Sequence, residues 1–168
     1  MTISMYQASV PVFVRALGNL SNILKIAAAH AEQNKIDPSV LLAARLFPNM
    51  FPLTRQVQIA TDLVNGAVAR LAGVERPSHE DKETSFEDLQ KRIDTTVAFA
   101  HSIKPEQIDG SDDKSITLTI GGNDMQFVGM PYLLHFVIPN IFFHTATAYD
   151  ILRHNGVQLG KPDFIGGM

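Results

Sequence analysis

Four polar side chains fall on stretches of the chain that are otherwise apolar: Tyr6, Gln56, Asn140 and His144. Asn140 and His144, in PNIFFHTATAYDILRHNG, are spaced i, i+4, so one face of a helix presents both. Stepping about 100° per residue from His144 puts Leu133, Val137, Asn140, Ile141, Ala148 and Ile151 within about 60° of it. His135, Tyr149 and Arg153 point the other way, and His154 sits to the side near the helix end, where a cation suits the dipole. Gln56 shares a face with Ile59, Ala60, Leu63, Ala67 and Leu71, whereas Arg55 and Asp62 lie off it. Tyr6 opens the apolar stripe of the first helix, and its hydroxyl is expected to reach the same end of the bundle.

An imidazole titrating near about 6.5 can act as a base or a metal ligand, or fix packing through a hydrogen bond. Three readings of the group therefore stand: a buried His–Asn or His–water bond, a small-molecule pocket without metal, and a metal site. Pro139 marks the same place, because a proline inside a helix cannot bond the carbonyl of His135 and kinks the helix there. His30, His79 and His101 read as exposed or terminal, with no assigned role.

Much other chemistry is excluded. The 168 residues contain no cysteine, which removes thiolate catalysis, disulfides and cysteine-ligated metals. No nucleophile elbow, phosphate-binding loop or paired catalytic carboxylates occur, and Gly121-Gly122 leads into a strand, not a helix. A net charge of −3 and scattered basic residues give no footprint for nucleic acid or an anionic membrane. No secretory signal and no run of about 18 apolar residues is apparent, so a cytoplasmic protein is expected.

The elements that would position these residues are helical. One domain, 1–168, is expected from the length. Tyr6, Val10, Phe13, Leu17, Leu20, Leu24, Ala28 and Ala31 form one stripe from Ser4 to about Ala31. Asp37-Pro38-Ser39 starts a short helix expected to reach Phe47, and a long one runs from Pro52 to Leu71, stopped by Gly73. RPSHEDKET reads as a plain loop, and Ser85 with Asp88 opens a third long helix. Ile116, Leu118 and Ile120 before GGND predict a hairpin, and a fourth long helix runs from about Met130 to His154. The tail is expected to pack as an extended segment through Phe164 and Ile165, with Lys161 and Asp163 pinning it by ion pairs. The fold class is all-α, a four-helix bundle with a short extra helix and a small hairpin.

The blocks FPLTRQVQIATDLVNGAVARLAG and PNIFFHTATAYDILRHNGVQLGKPDFIGG resemble a bacterial domain of unknown function within the DinB/YfiT-like superfamily, over Met5 to Gly167. That resemblance implies a DinB-like four-helix bundle among metalloenzymes, often dimeric, whose better-known members hold nickel or zinc on three histidines. Some are thiol-dependent transferases or isomerases. The superfamily writes one histidine on the second helix and an H-x-x-x-H pair on the fourth. By that resemblance His144 matches the second of the pair, Asn140 replaces the first, and the second-helix ligand falls at or near Gln56. Amides are poor zinc or nickel donors beside imidazole. The expectation is a degenerate, metal-free pocket for a small molecule lined by Tyr6, Gln56, Asn140 and His144, with no cofactor. One alternative is a nickel or zinc ion at His144 in a transferase or isomerase. Another is a purely structural role. Breadth of apolar surface around the fourth helix, with Phe136, Phe142 and Phe143, predicts a homodimer through it.

Overall fold

The computed structural model describes residues 2–167. Helix α1 (Met5–Gln33) is opened by Ser4, whose hydroxyl accepts from the Gln7 N–H while the Gln7 side chain accepts from the Ser4 N–H. Its stripe of Phe13, Leu17, Leu20 and Leu24 is fully buried. By length and composition alone α1 would suffice to cross a membrane, against the expectation from the sequence. The reason is that Arg15, Lys25 and Glu32 are its only charged residues, while its apolar stripe is built into the core.

Asp37 caps α2 (Pro38–Ala43), which ends short of the expected Phe47. The Ala44 carbonyl accepts from the Leu53 N–H instead of continuing the helix, and Pro48 disfavours helical backbone at the residue before it. Helix α3 (Leu53–Ala72) stops at Gly73 in the left-handed conformation, and α4 (Phe86–Ser102) starts at Ser85, whose hydroxyl accepts from the Asp88 N–H. A single turn, α5 (Pro105–Ile108), leads to β1 (Ser115–Ile120) and β2 (Asn123–Val128), paired antiparallel. Gly121 and Gly122, at φ 58° and 82°, supply the two positive φ angles that a two-residue hairpin turn needs.

The fourth long helical run has three segments: α6 (Gly129–Pro131), a π-helical stretch Tyr132–Val137, and α7 (Ile138–His154). The expected disturbance at Pro139 thus takes the form of a wider turn before it, in which the Ile138 N–H reaches back five residues to the Leu133 carbonyl. Gly129 is forced by space, since a Cβ there would collide with the Ser111 carbonyl oxygen.

The tail is a short helix, α8 (Lys161–Ile165), where an extended segment was expected. Pro162 suits a first helical turn, and Asp163 Oδ2 accepts from the Gly160 N–H at 2.7 Å. Asp163 therefore caps its own helix, and the tail is held by α1: Arg15 and Asn19 donate to carbonyls of Phe164, Ile165 and Gly167.

Helices α1, α4, α3 and α7 are neighbours in a closed cycle, each packing on the next, around one apolar core. This is the four-helix bundle expected from the four stripes. It brings the first turn of α3 against the middle of α7.

Candidate functional site

Gln56 lies in the first turn of α3 and is buried. Its Nε2 donates to the Phe51 carbonyl at 3.0 Å, and its Oε1 lies 2.7 Å from Nδ1 of His144 on α7. A carbonyl oxygen only accepts, so the Phe51 contact fixes the amide with nitrogen toward Phe51 and oxygen toward the ring. Nδ1 must then carry the hydrogen. In the neutral ring the lone pair sits on Nε2, which makes no hydrogen bond among the described residues. Burial, and then the nearby Arg55 cation, push the His144 pKa below its ordinary value. The Phe143 ring meets the imidazole edge to face at 5.2 Å.

Asn140 is half-buried one turn before His144, but its amide is directed to its own helix. Nδ2 donates to the Phe136 carbonyl at 2.6 Å, inside the π-helical stretch. The carbonyl that Asn140 serves is thus that of Phe136, one residue beyond the His135 carbonyl that Pro139 cannot bond.

Tyr6 is not part of this group, against expectation. Its N–H donates to Asp109 Oδ1 at 2.8 Å, beside α5. The segment after α5 lies at the far end of α3, where Lys114 Nζ donates to the Leu71 carbonyl. From Gln56 to Leu71 is about 22 Å of helix. Helical phase tells which face a residue occupies, not which end of the bundle it reaches.

The fit of a nickel or zinc ion follows from the donors. Gln56 Oε1 is taken by an imidazole N–H, leaving one imidazole nitrogen and the amide oxygen of Asn140 free. Among the described residues no group of three or more His, Asp or Glu side chains is arranged to hold a metal. This donor set does not fit an ion bound by three imidazoles.

A second polar assembly escaped the sequence reading. Arg92 of α4 has a side chain only 1% exposed. Nε donates to Thr61 Oγ1 at 2.6 Å, Nη1 to Asp81 at 2.7 Å and Glu83 at 2.9 Å, and Nη2 to Asp62 at 2.8 Å and the Gln58 carbonyl at 3.3 Å. That engages all five N–H donors of a guanidinium. Arg55 and Arg76 pair with Asp81 and Asp62, so three arginines meet three carboxylates. Burial works to raise the pKa values of Asp81 and Glu83, but the Arg92 bonds bring both below the ordinary carboxylate range.

The loop after α3 is therefore not a plain connector. His79, assigned no role from the sequence, places Nε2 3.1 Å from Asn65 Nδ2 and 3.3 Å from Thr96 Oγ1. Burial first, then Arg92, lowers its pKa against the opposing pull of Asp62, Glu83 and Asp81. One signal was available: Arg92 lies three residues after Leu89 and four before Thr96, on the buried face of α4.

Comparison with known proteins places residues 5–165 in a match to the family model described as a domain of unknown function, DUF1993. The crystal structure of a DinB family member protein from Shewanella denitrificans superposes with a TM-score of 0.88 at 38% sequence identity. The match covers 97% of this chain and 92% of that one. No curated protein matches the chain.

Proposed function

We propose, for a chain that belongs to the DUF1993 family and has the DinB-like fold, a metal-independent binding site for a small organic molecule, with His144 as its recognising group. The observation that carries this reading is the relay from His144 Nδ1–H to Gln56 and on to the Phe51 carbonyl. It holds the neutral ring in one tautomer and one orientation, with Nε2 as an acceptor. A preset acceptor binds a donor without first paying to order itself. The ligand chemistry that suits it is an N–H or O–H donor on an apolar body. Phe51 and Phe143, 54% and 56% exposed, offer that body aromatic surface. Asn140 Oδ1, with no partner among the described residues, adds an acceptor one turn away.

The test begins with elemental analysis of untagged protein, followed by a thermal-shift screen of metabolites. Expected are no stoichiometric nickel or zinc, and a stabilising compound whose effect is lost in both His144→Ala and Asn140→Ala. Stoichiometric metal that disappears with His144→Ala would overturn the reading. If the variants lose stability but no compound binds the parent protein, the relay is structural.

The same free lone pair supports a second reading, an enzyme in which His144 Nε2 is a general base. A compound consumed with a rate that rises through a single ionisation below pH 6.5, and is lost in His144→Gln, would favour it over simple binding. Exposed Leu134, Phe142 and Phe143 along one helical run support a homodimer through α7, which a monomeric mass by light scattering would contradict.

A further inference from the structure

A hollow of about 240 Å³ lies between α1, α7 and α8, apart from the His144 relay. Ala16, Leu20 and Ile23 of α1, Phe142 of α7, and Phe164 and Ile165 of α8 line it. Most of its polar wall groups are turned to the chain itself. Arg15 donates from Nε and Nη2 to the Ile165 carbonyl at 3.2 Å and from Nη2 to that of Gly167 at 3.0 Å. Asn19 Nδ2 donates to the Phe164 carbonyl at 2.9 Å, and Thr145 Oγ1 to its own helix at Ile141.

The cover is held by these rim bonds and not by packing. No residue of α8 is buried, and Ile165 stays 45% exposed although it lines an apolar space. Protein interiors seldom keep voids larger than a water molecule. An apolar cavity of about 150 Å³ is enough to take up benzene. The hollow here is larger than that and is closed on one side by a segment with unburied apolar side chains.

We propose that this hollow binds a neutral apolar molecule the size of one aromatic ring or a six-carbon chain, with α8 as its cover. The occupant completes the burial of Phe164 and Ile165 that the tail alone leaves unfinished. Neutrality follows from the walls: they are hydrocarbon apart from Arg15, Asn19 and Thr145, and the exposed Arg15 turns Nε and Nη2 to the tail with only Nη1 unengaged, so a charge carried into the hollow would be largely desolvated. The inference does not rest on His144.

The experiment titrates benzene, n-hexanol and sodium hexanoate into the full chain and follows methyl NMR signals. Saturable shifts confined to Leu20, Ile23 and Ile165 are expected for benzene and n-hexanol, with hexanoate about tenfold weaker or more because its charge resists burial. Ala16→Phe, which fills the hollow, is expected to remove the shifts while the circular dichroism stays unchanged. If that variant does not fold, Ala16→Leu is expected to weaken binding by about tenfold, the loss that overpacking a small site brings. Absence of saturable shifts for both neutral probes overturns the site. Unchanged binding in a folded Ala16 variant overturns its location, and hexanoate binding as tightly as n-hexanol overturns its chemistry.

Discussion

Two polar assemblies hang on α3, one at its first turn and one along its middle. At the first turn, Gln56 and His144 form a chain of two hydrogen bonds between uncharged groups, and one ring nitrogen is left over beside exposed aromatic rings. Around Arg92, every donor of the guanidinium is consumed and the three carboxylates are matched by three arginines. Saturation decides what each is suited to. A fully matched charge cluster has nothing to offer a ligand and much to lose when broken. A relay with one acceptor to spare contributes less to the fold and retains chemistry. Arg55 joins the two, pairing with Asp81 on one side and depressing the His144 pKa on the other.

The largest test of this contrast is Arg92→Ala, which strands Glu83 in a partly buried setting and leaves Asp62 and Asp81 with one arginine each. Loss of one partner of a buried pair costs about 3–5 kcal/mol, measured as a shift in urea unfolding. A cost below about 1 kcal/mol, the worth of a surface pair, would contradict the ascribed role. Gln56→Leu comes next, at about 1–3 kcal/mol, because the Phe51 carbonyl and the imidazole N–H lose their partner. The same change is expected to move the His144 pKa further down, since the Nδ1–H bond favours the cation more than the neutral ring. Proton NMR titration of the ring reads that shift, and an upward movement would mean the relay is drawn wrongly.

Acidification separates the regions by window. His79 and His144 have folded pKa values below their unfolded ones, so the unfolded chain takes up protons first and stability declines as pH falls below about 6.5. Asp81 and Glu83 are also lowered, so their contribution is present above about pH 4.3 and is lost as pH falls further. Urea midpoints across pH 3–8 should show two falls, and replacing both histidines by Gln should remove only the upper one. Asn140→Ala is the smallest, at about 0.5–1.5 kcal/mol for one bond to the Phe136 carbonyl. A larger loss would make Asn140 a structural support of the π-helical stretch.

The fold was legible because its signals are local. Capping at Asp37 and Ser85, the Gly121-Gly122 turn, and four apolar stripes each follow from a few neighbouring residues. The Gln56–His144 contact was half legible: phase put both on core faces, and the closed cycle of helices then brought those faces together. Tyr6 failed because the stripe carries no information about which end of α1 meets which end of α3. The Arg92 cluster failed because two of its three carboxylates, Asp81 and Glu83, come from a loop without periodicity, and convergence of that kind is written only in three dimensions. The tail failed by omission, since Pro162 and Asp163 carry a helix-start signal, whereas the expected ion pairs assign Asp163 and Lys161 to pinning an extended segment.

The bonds from Arg15 and Asn19 to the tail have a further consequence, for the order in which the protein can be made. Their partners are 145 to 152 residues downstream. While the chain is being synthesised, the face of α1 that bears Ala16, Leu20 and Ile23 stands without its cover until α8 has left the ribosome. The bundle core can assemble beforehand, because α1, α3, α4 and α7 are all complete by His154. What waits for α8 is one apolar face of an otherwise assembled bundle, which is where a nascent chain of this protein is open to chaperones or to its neighbours on the same message.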